Sequence, residues 1–413
     1  MKSLSRIFRH PQFGLVLLAY VAFIALGMPD GLLGVAWPTI RKDFGIPLDA
    51  LGMLFLTATS GYLLSSFMSG KLISRFHVGN VLVVSCLLTG AALISYTLVP
   101  EWWMMVALGV LAGLGAGAID AGLNTYVAAH FSAGMMQWLH ASYGVGVTLG
   151  PLIMTLSLTS ANSWRTGYRI VGLFQFLMAL SFIFTLSLWS KNGSDTQQAE
   201  KKITEYKTSF RETLRQPRVW LSMLLFALYV GAEVSLGTWT YSLLTESRGI
   251  STQVAGFWAG SYWATFTVGR ILAGIYSKRV SVEKLILFGT SGAILGAILL
   301  WWNPASWTNV AAVALIGFSI APIFPALTTG VRERVGDRYA ANTIGMQMAA
   351  GAASTVITPS ILGILARQIS LEVVPVVLTF VFAILLAVFL FSLQKNPRSK
   401  QTAEVKITSN NEK

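Results

Sequence analysis

The chain has 413 residues, 54% of them hydrophobic and only 11% charged, with a mean hydropathy of +0.63 and a formal net charge of +13. A soluble domain carries about 25% charged residues, so the composition excludes a soluble enzyme and makes nucleic acid the wrong first partner; the positive charge is weighed first against the Lys and Arg that collect in cytoplasmic loops. The single cysteine, Cys86, lies inside an apolar run, which rules out a disulfide framework.

Lys2, Arg6 and Arg9 precede the first long apolar segment, and no small-residue cleavage site follows, so this segment reads as an uncleaved first span. Apolar stretches of about 20 residues then recur to the end of the chain. Twelve are predicted, at about Phe13 to Trp37, Leu51 to Leu72, Val81 to Val99, Trp102 to Ala128, Trp138 to Leu158, Gly167 to Trp189, Val219 to Leu244, Val254 to Tyr276, Leu285 to Trp302, Val310 to Val331, Ile344 to Ala366 and Val373 to Leu393. The predicted fold class is an all-α membrane protein of twelve transmembrane helices. Residues 1–189 form an amino-terminal six-helix half, 190–218 a basic linker, 219–394 a second six-helix half and 395–413 a disordered tail.

With the amino terminus inside, 23 of the 30 basic residues fall on inward segments, whereas Arg41, Lys42, Arg165, Arg169, Arg248 and Arg367 face outward and Arg270 lies within span eight. That excess places both ends in the cytoplasm, and membrane lipid headgroups become a partner for the net charge.

Sliding the second half over the first by 203 residues puts Leu33-Gly34 on Leu236-Gly237, Asp30 on Glu233 and Ser74-Arg75 on Ser277-Lys278; a shift of 204 puts Gly113 on Gly317. The near-constant shift predicts two homologous halves.

A carboxylate at bilayer depth costs several kcal/mol by most scales, which makes an acid retained in a span a functional candidate. Only Asp30, Asp120 and Glu233, on spans one, four and seven, fall well inside. At ~1.5 Å per residue, Asp30 is expected outward of the middle of its span, Asp120 inward and Glu233 near the midplane. Each is weighed against a purely structural role as an interhelical hydrogen bond. Asn124 follows Asp120 by one helical turn and shares its face. His140 reads either as a relay or as a packing residue, and Gln347 is a weaker polar candidate. Aromatic rings stack on the C–H face of a sugar while amides and acids take its hydroxyls; Tyr143, Trp239, Trp258, Tyr262 and Trp263 are candidates by position, with Trp37 divided between this role and the interface belt. Trp102, Trp103, Trp301, Trp302 and Trp307 read as belt. Gly109, Gly113, Gly115 and Gly117 permit close helix approach. Gly113-x-Gly115-x-Gly117 lies inside a span and is no nucleotide loop. Neither phosphate loop, metal-ligand spacing nor serine elbow is present in the sequence, so no cofactor and no metal are expected.

Twelve spans, a basic central linker and the stretch Gly70-Lys-Leu-Ile-Ser-Arg-Phe76 followed by Gly79 resemble the major facilitator superfamily, with a departure at Ser74, where the superfamily usually carries an acid. Asp30, Asp120 and the segment from Gln137 to Pro151 most resemble the fucose permease group of sugar and proton symporters. The resemblance implies that spans one, four, seven and ten line one central pathway. It implies a secondary transporter that moves a small polar solute, with a monosaccharide as the first candidate, coupled to protons, with sodium as the alternative ion. Asp30, Asp120 and Glu233 would be the coupling acids. A monomer in a bacterial inner (plasma) membrane is expected. The sequence leaves open a proton-driven exporter of drugs or metabolites and, from another class, a non-transporting membrane scaffold or receptor.

Overall fold

The computed structural model describes residues 13–131, 133–190, 208–276 and 279–394. Most of the predicted linker, residues 191–207, and the tail from 395 lie outside them, as do Ser277 and Lys278 of the repeat comparison. The described residues fold into helices and connecting turns, with no strand among them.

The first half comprises α1 (Phe13–Phe44), α2 (Leu51–Tyr96), α3 (Trp102–His130), α4 (Ala133–Ser160) and α5 (Trp164–Ser190). The second comprises a short α6 (Phe210–Leu214), α7 (Pro217–Ser242), α8 (Thr252–Tyr276), α9 (Val282–Trp302), α10 (Thr308–Ile320), α11 (Ile323–Thr329), a short α12 (Val331–Val335), α13 (Asp337–Gln368) and α14 (Val373–Gln394).

Predicted spans two and three are one continuous stretch in α2, which is 46 residues long. Run straight it would reach about 69 Å, more than twice a hydrocarbon core of about 30 Å. It does not run straight. His77 leaves the helical region at φ 64°, ψ 152°, and both arms return to α3: Gly113 packs on Ala58 and Tyr62 of the first arm, Gly115 on Ser85 and Thr89 of the second. The small residues of α3 thus let it sit between the two arms, close enough that a methyl on either glycine would strike backbone. Among the described residues, counting α2 twice, ten helices long and apolar enough to cross a membrane supply eleven crossings, and α8, 25 residues long but more polar, supplies the twelfth.

Two boundaries move. α1 continues through Pro38 to Phe44, seven residues past the predicted end, because its last turns stand clear of the apolar zone and Arg41 finds an acid there. The tenth span breaks between α10 and α11 at Ala321-Pro322, where proline removes a donor from the ladder. The last residues of the linker are docked rather than free: Asn342 of α13 donates to the Thr213 hydroxyl (3.0 Å), and Arg338 pairs with Glu212 of α6 (2.9 Å).

α1 packs on α4 and α7 on α13 within the halves; α1 on α7, α2 on α13 and α4 on α8 join them.

Candidate functional site

Reciprocal glycines bring α1 and α4 together. A Cβ on Gly27 would fall 2.5 Å from the Tyr143 carbonyl oxygen and one on Gly31 2.5 Å from that of Val147, while Gly146 and Gly150 meet Ile24 and Met28 in return. Backbones this close leave the Tyr143 hydroxyl in reach of the Asp30 carboxylate, to which it donates at 2.6 Å. Asp30 is solvent-exposed, yet it lies within electrostatic reach of Asp120 and Tyr62 on other helices. Its exposure is therefore to the interior of the bundle. α1 runs seven residues past its predicted end into the zone beyond the apolar stretch, so the midpoint of the helix, about 2 Å from Asp30, is not the midpoint of that stretch.

The second acid is held by the α2–α3 contact. Gly117 sits against Tyr62 and Ser65, and the Tyr62 hydroxyl donates to Asp120 Oδ2 in a short hydrogen bond. Asn124 Nδ2 donates to Asp120 Oδ1 at 2.9 Å and to the Asp120 carbonyl at 3.0 Å, confirming the shared face. Asp120 and Asn124 are both half-buried.

The third acid has a cation. Glu233 Oε1 lies 3.8 Å from Arg270 Nη2 of α8, with side-chain exposures of 13% and 17%, and so forms a loose and nearly enclosed pair. The guanidinium stacks 4.2 Å over the Phe266 ring and 5.7 Å from that of Phe324. The Tyr229 hydroxyl stands beside both charged groups but makes no hydrogen bond of acceptable geometry, and Arg270 Nε is likewise buried without a partner. Arg270 and Glu233 act electrostatically on Tyr143, and Arg270 on His140, so the nodes of the two halves face one another across the α4–α8 contact. His140 is exposed, its ring edge-on to Phe23 at 5.9 Å.

The remaining candidates take packing positions. Trp239 is 1% exposed, its indole donating to the Pro359 carbonyl at 3.1 Å, and Gln347 is fully buried, tying α13 to the Ser222 hydroxyl of α7 at 3.0 Å. Tyr262 is buried and donates to the Glu233 carbonyl at 2.9 Å, supporting the third acid from behind. Trp263 packs on Gly237 and on Tyr262, ring centroids 4.6 Å apart, and Trp258 is half-buried against the core. Of the predicted belt, Trp103, Trp301, Trp302 and Trp307 are exposed, but Trp102 is 8% exposed and packs on Trp37, which is itself buried and bonded to the Leu48 carbonyl. Sequence reasoning missed Tyr62, whereas Arg270, expected to snorkel or to pair with an acid of a neighbouring helix, pairs with Glu233. The signal for Tyr62 was the polar stripe Thr59, Tyr62, Ser66 along one face of an apolar span.

The polar ties between the halves lie at the end of the bundle that the loop charges assign to the outside, or no deeper than its middle. Arg41 donates to both Glu246 oxygens at 2.8 Å, Arg367 pairs with Asp49 at 3.2 Å, Thr59 meets Thr355 and Thr148 meets Thr267 at 3.4 Å. Gly34 lies directly on the Gly237 carbonyl, too close for any side chain.

The model of the major facilitator superfamily matches residues 19–355 and again 238–410. The chain belongs to the major facilitator superfamily. Its superfamily relatives include the glucose/mannose transporter GlcP of Bacillus subtilis, 23% identical over 323 residues covering 76% of this chain and 79% of that protein. The human sodium-dependent glucose transporter 1 is 24% identical over 354 residues, covering 76% and 66%. In fold, the chain superposes on the crystal structure of a D-xylose-proton symporter with a TM-score of 0.74 at 13% identity, covering 93% and 98% of the two chains. This facilitator is thus a multi-pass integral membrane protein and a solute transporter, not an enzyme.

Proposed function

We propose that this chain moves a monosaccharide by alternating access, coupled to protons through Asp30 and Asp120. The observation that carries the reading is the placing of three in-span acids within one bundle interior, two of them held only by neutral donors: Asp30 by Tyr143, and Asp120 by Tyr62 and Asn124. An acid whose charge has no fixed cation can exchange a proton without breaking an ion pair, and surroundings that alternate between wet and occluded favour its two forms in turn. The hydroxyl and amide donors around these acids also suit the hydroxyls of a polyol, and the likeness to the glucose/mannose transporter and the D-xylose-proton symporter supports that class. Tyr143, His140 and Asn124 would meet cargo from the first half and Glu233 from the second. The groups named all lie on one chain, which supports a monomer, and the loop charges support cytoplasmic termini.

A sodium-coupled reading draws on the human relative's name. One experiment separates them: counterflow of labelled glucose and mannose in proteoliposomes, followed by uphill uptake under an imposed pH or sodium gradient. Accumulation driven by pH alone supports the proton reading, accumulation only with sodium replaces it, and absence of hexose counterflow overturns the sugar.

A further inference from the structure

Three polar groups at the middle of the second half share unmet hydrogen-bonding capacity. Arg270 Nε is buried without an acceptor, the nearest approach of Arg270 to Glu233 is 3.8 Å, beyond a hydrogen bond, and the fully buried Tyr229 hydroxyl stands beside both without a hydrogen bond of good geometry to either. Buried donors left in this condition cost about 1–3 kcal/mol each, and native proteins seldom leave them together. They are not scattered. Tyr229 and Glu233 are one turn apart on α7, Arg270 faces them from α8, and Phe266 and Phe324 flank the guanidinium.

We propose that Arg270, Glu233 and Tyr229 form a hydroxyl-recognition node for the cargo, the second half's counterpart of the Asp30 and Asp120 nodes; this rests on the monosaccharide reading above. A guanidinium only donates and a carboxylate only accepts, so the group that satisfies both across a 3.8 Å gap must accept from one and donate to the other. A hydroxyl does this with one oxygen: at about 2.8 Å from each it closes two charge-assisted hydrogen bonds. A carboxylate cargo would satisfy Arg270 but meet Glu233, Asp30 and Asp120 with a like charge, and an ammonium would satisfy the acids but meet Arg270. The node therefore selects a neutral hydroxyl, and Arg270 is a specificity-determining residue instead of a passive counter-charge.

The experiment measures counterflow KM for D-glucose and its 2-, 3-, 4- and 6-deoxy analogues in the native protein, in Arg270→Lys, and in the double variant Arg270→Gln with Glu233→Gln. In the native protein one analogue is expected to be penalised well beyond the others, and in Arg270→Lys that one penalty collapses toward unity while the remaining analogues keep their ratios. The double variant, which removes the charge imbalance, is expected to stay impaired for glucose. Unchanged analogue ratios in Arg270→Lys, or native KM in the double variant, would mean that Arg270 merely balances Glu233, and the proposal falls. Absence of glucose counterflow in the native protein would instead overturn the sugar reading on which it rests.

Discussion

Asp30 and Glu233 occupy matching places in the two halves, 203 residues apart, yet opposite chemistry holds them. Asp30 faces solvent and accepts from a neutral phenol; Glu233 is nearly enclosed and sits beside an arginine. The 203-residue offset aligns the two positions, and their neighbours differ. A phenol leaves the charge of the carboxylate uncompensated and therefore free to be cancelled by a proton, whereas a guanidinium cancels it permanently.

The largest expected effect tests the paired half. Arg270→Gln leaves Glu233 as an uncompensated enclosed charge, a change of about 3–5 kcal/mol for buried pairs, and should lower the melting temperature of the purified protein by many degrees. Asp120→Asn, which breaks no ion pair, should lower it little; equal losses would erase the distinction. Next, Asp30→Asn should reduce pH-driven accumulation to the level of protein-free liposomes while exchange persists, and Glu233→Gln should keep accumulation above that level. The reverse result would move the coupling to the second half.

A third, smaller effect concerns the seam between the halves. A side chain at Gly34 collides with the Gly237 carbonyl, so Gly34→Val should open the outer end. The single native cysteine is 1% exposed, so a cysteine introduced at Leu33 gives a clean report: its labelling by an impermeant maleimide should rise in Gly34→Val. No rise would show that the seam does not hold this end shut.

The smallest effect is acid sensitivity outside the spans. Partial burial pushes the Glu372 carboxyl up, but hydrogen bonds from Arg248 and Ser247 and the guanidinium charge outweigh it and hold it below the ordinary 4.5. Its contribution to stability is thus complete above that ordinary value and is lost as pH falls through the lower folded one. With the carboxylate 42% exposed the effect is modest. Glu372→Gln should lower the melting temperature slightly at pH 7 and make it less dependent on pH below 4.5; an unaltered acid limb would count against the pairing.

The fold was legible because hydropathy reports what the bilayer demands of each segment. It failed at the end of α1, where Pro38 and Arg41-Lys42 look like a stop: the helix leaves the apolar zone there, and hydropathy is blind to a helix that continues into water. It also could not sort the tryptophans, because whether Trp102 faces lipid or Trp37 depends on the rotation of its helix, which neighbours set. The site was half legible. Acids in spans stand out by their cost, so Asp30, Asp120 and Glu233 were visible. Which partner serves which acid was not, since Tyr62, Tyr143 and Arg270 lie 58, 113 and 37 residues from the acids they serve, in contacts between helices that one sequence does not order.

The Gly34–Gly237 contact has a bearing on salt. Arg41–Glu246 and Arg367–Asp49 are charged ties at a helix end, weakened as ionic strength rises and the screening length shrinks toward about 3 Å at 1 M. Backbone resting on backbone carries no such charge. A brine would loosen the bolts around this end and leave the hinge plate flat against its frame, so the Gly34–Gly237 contact is set by shape and holds across media that would weaken the ion pairs beside it.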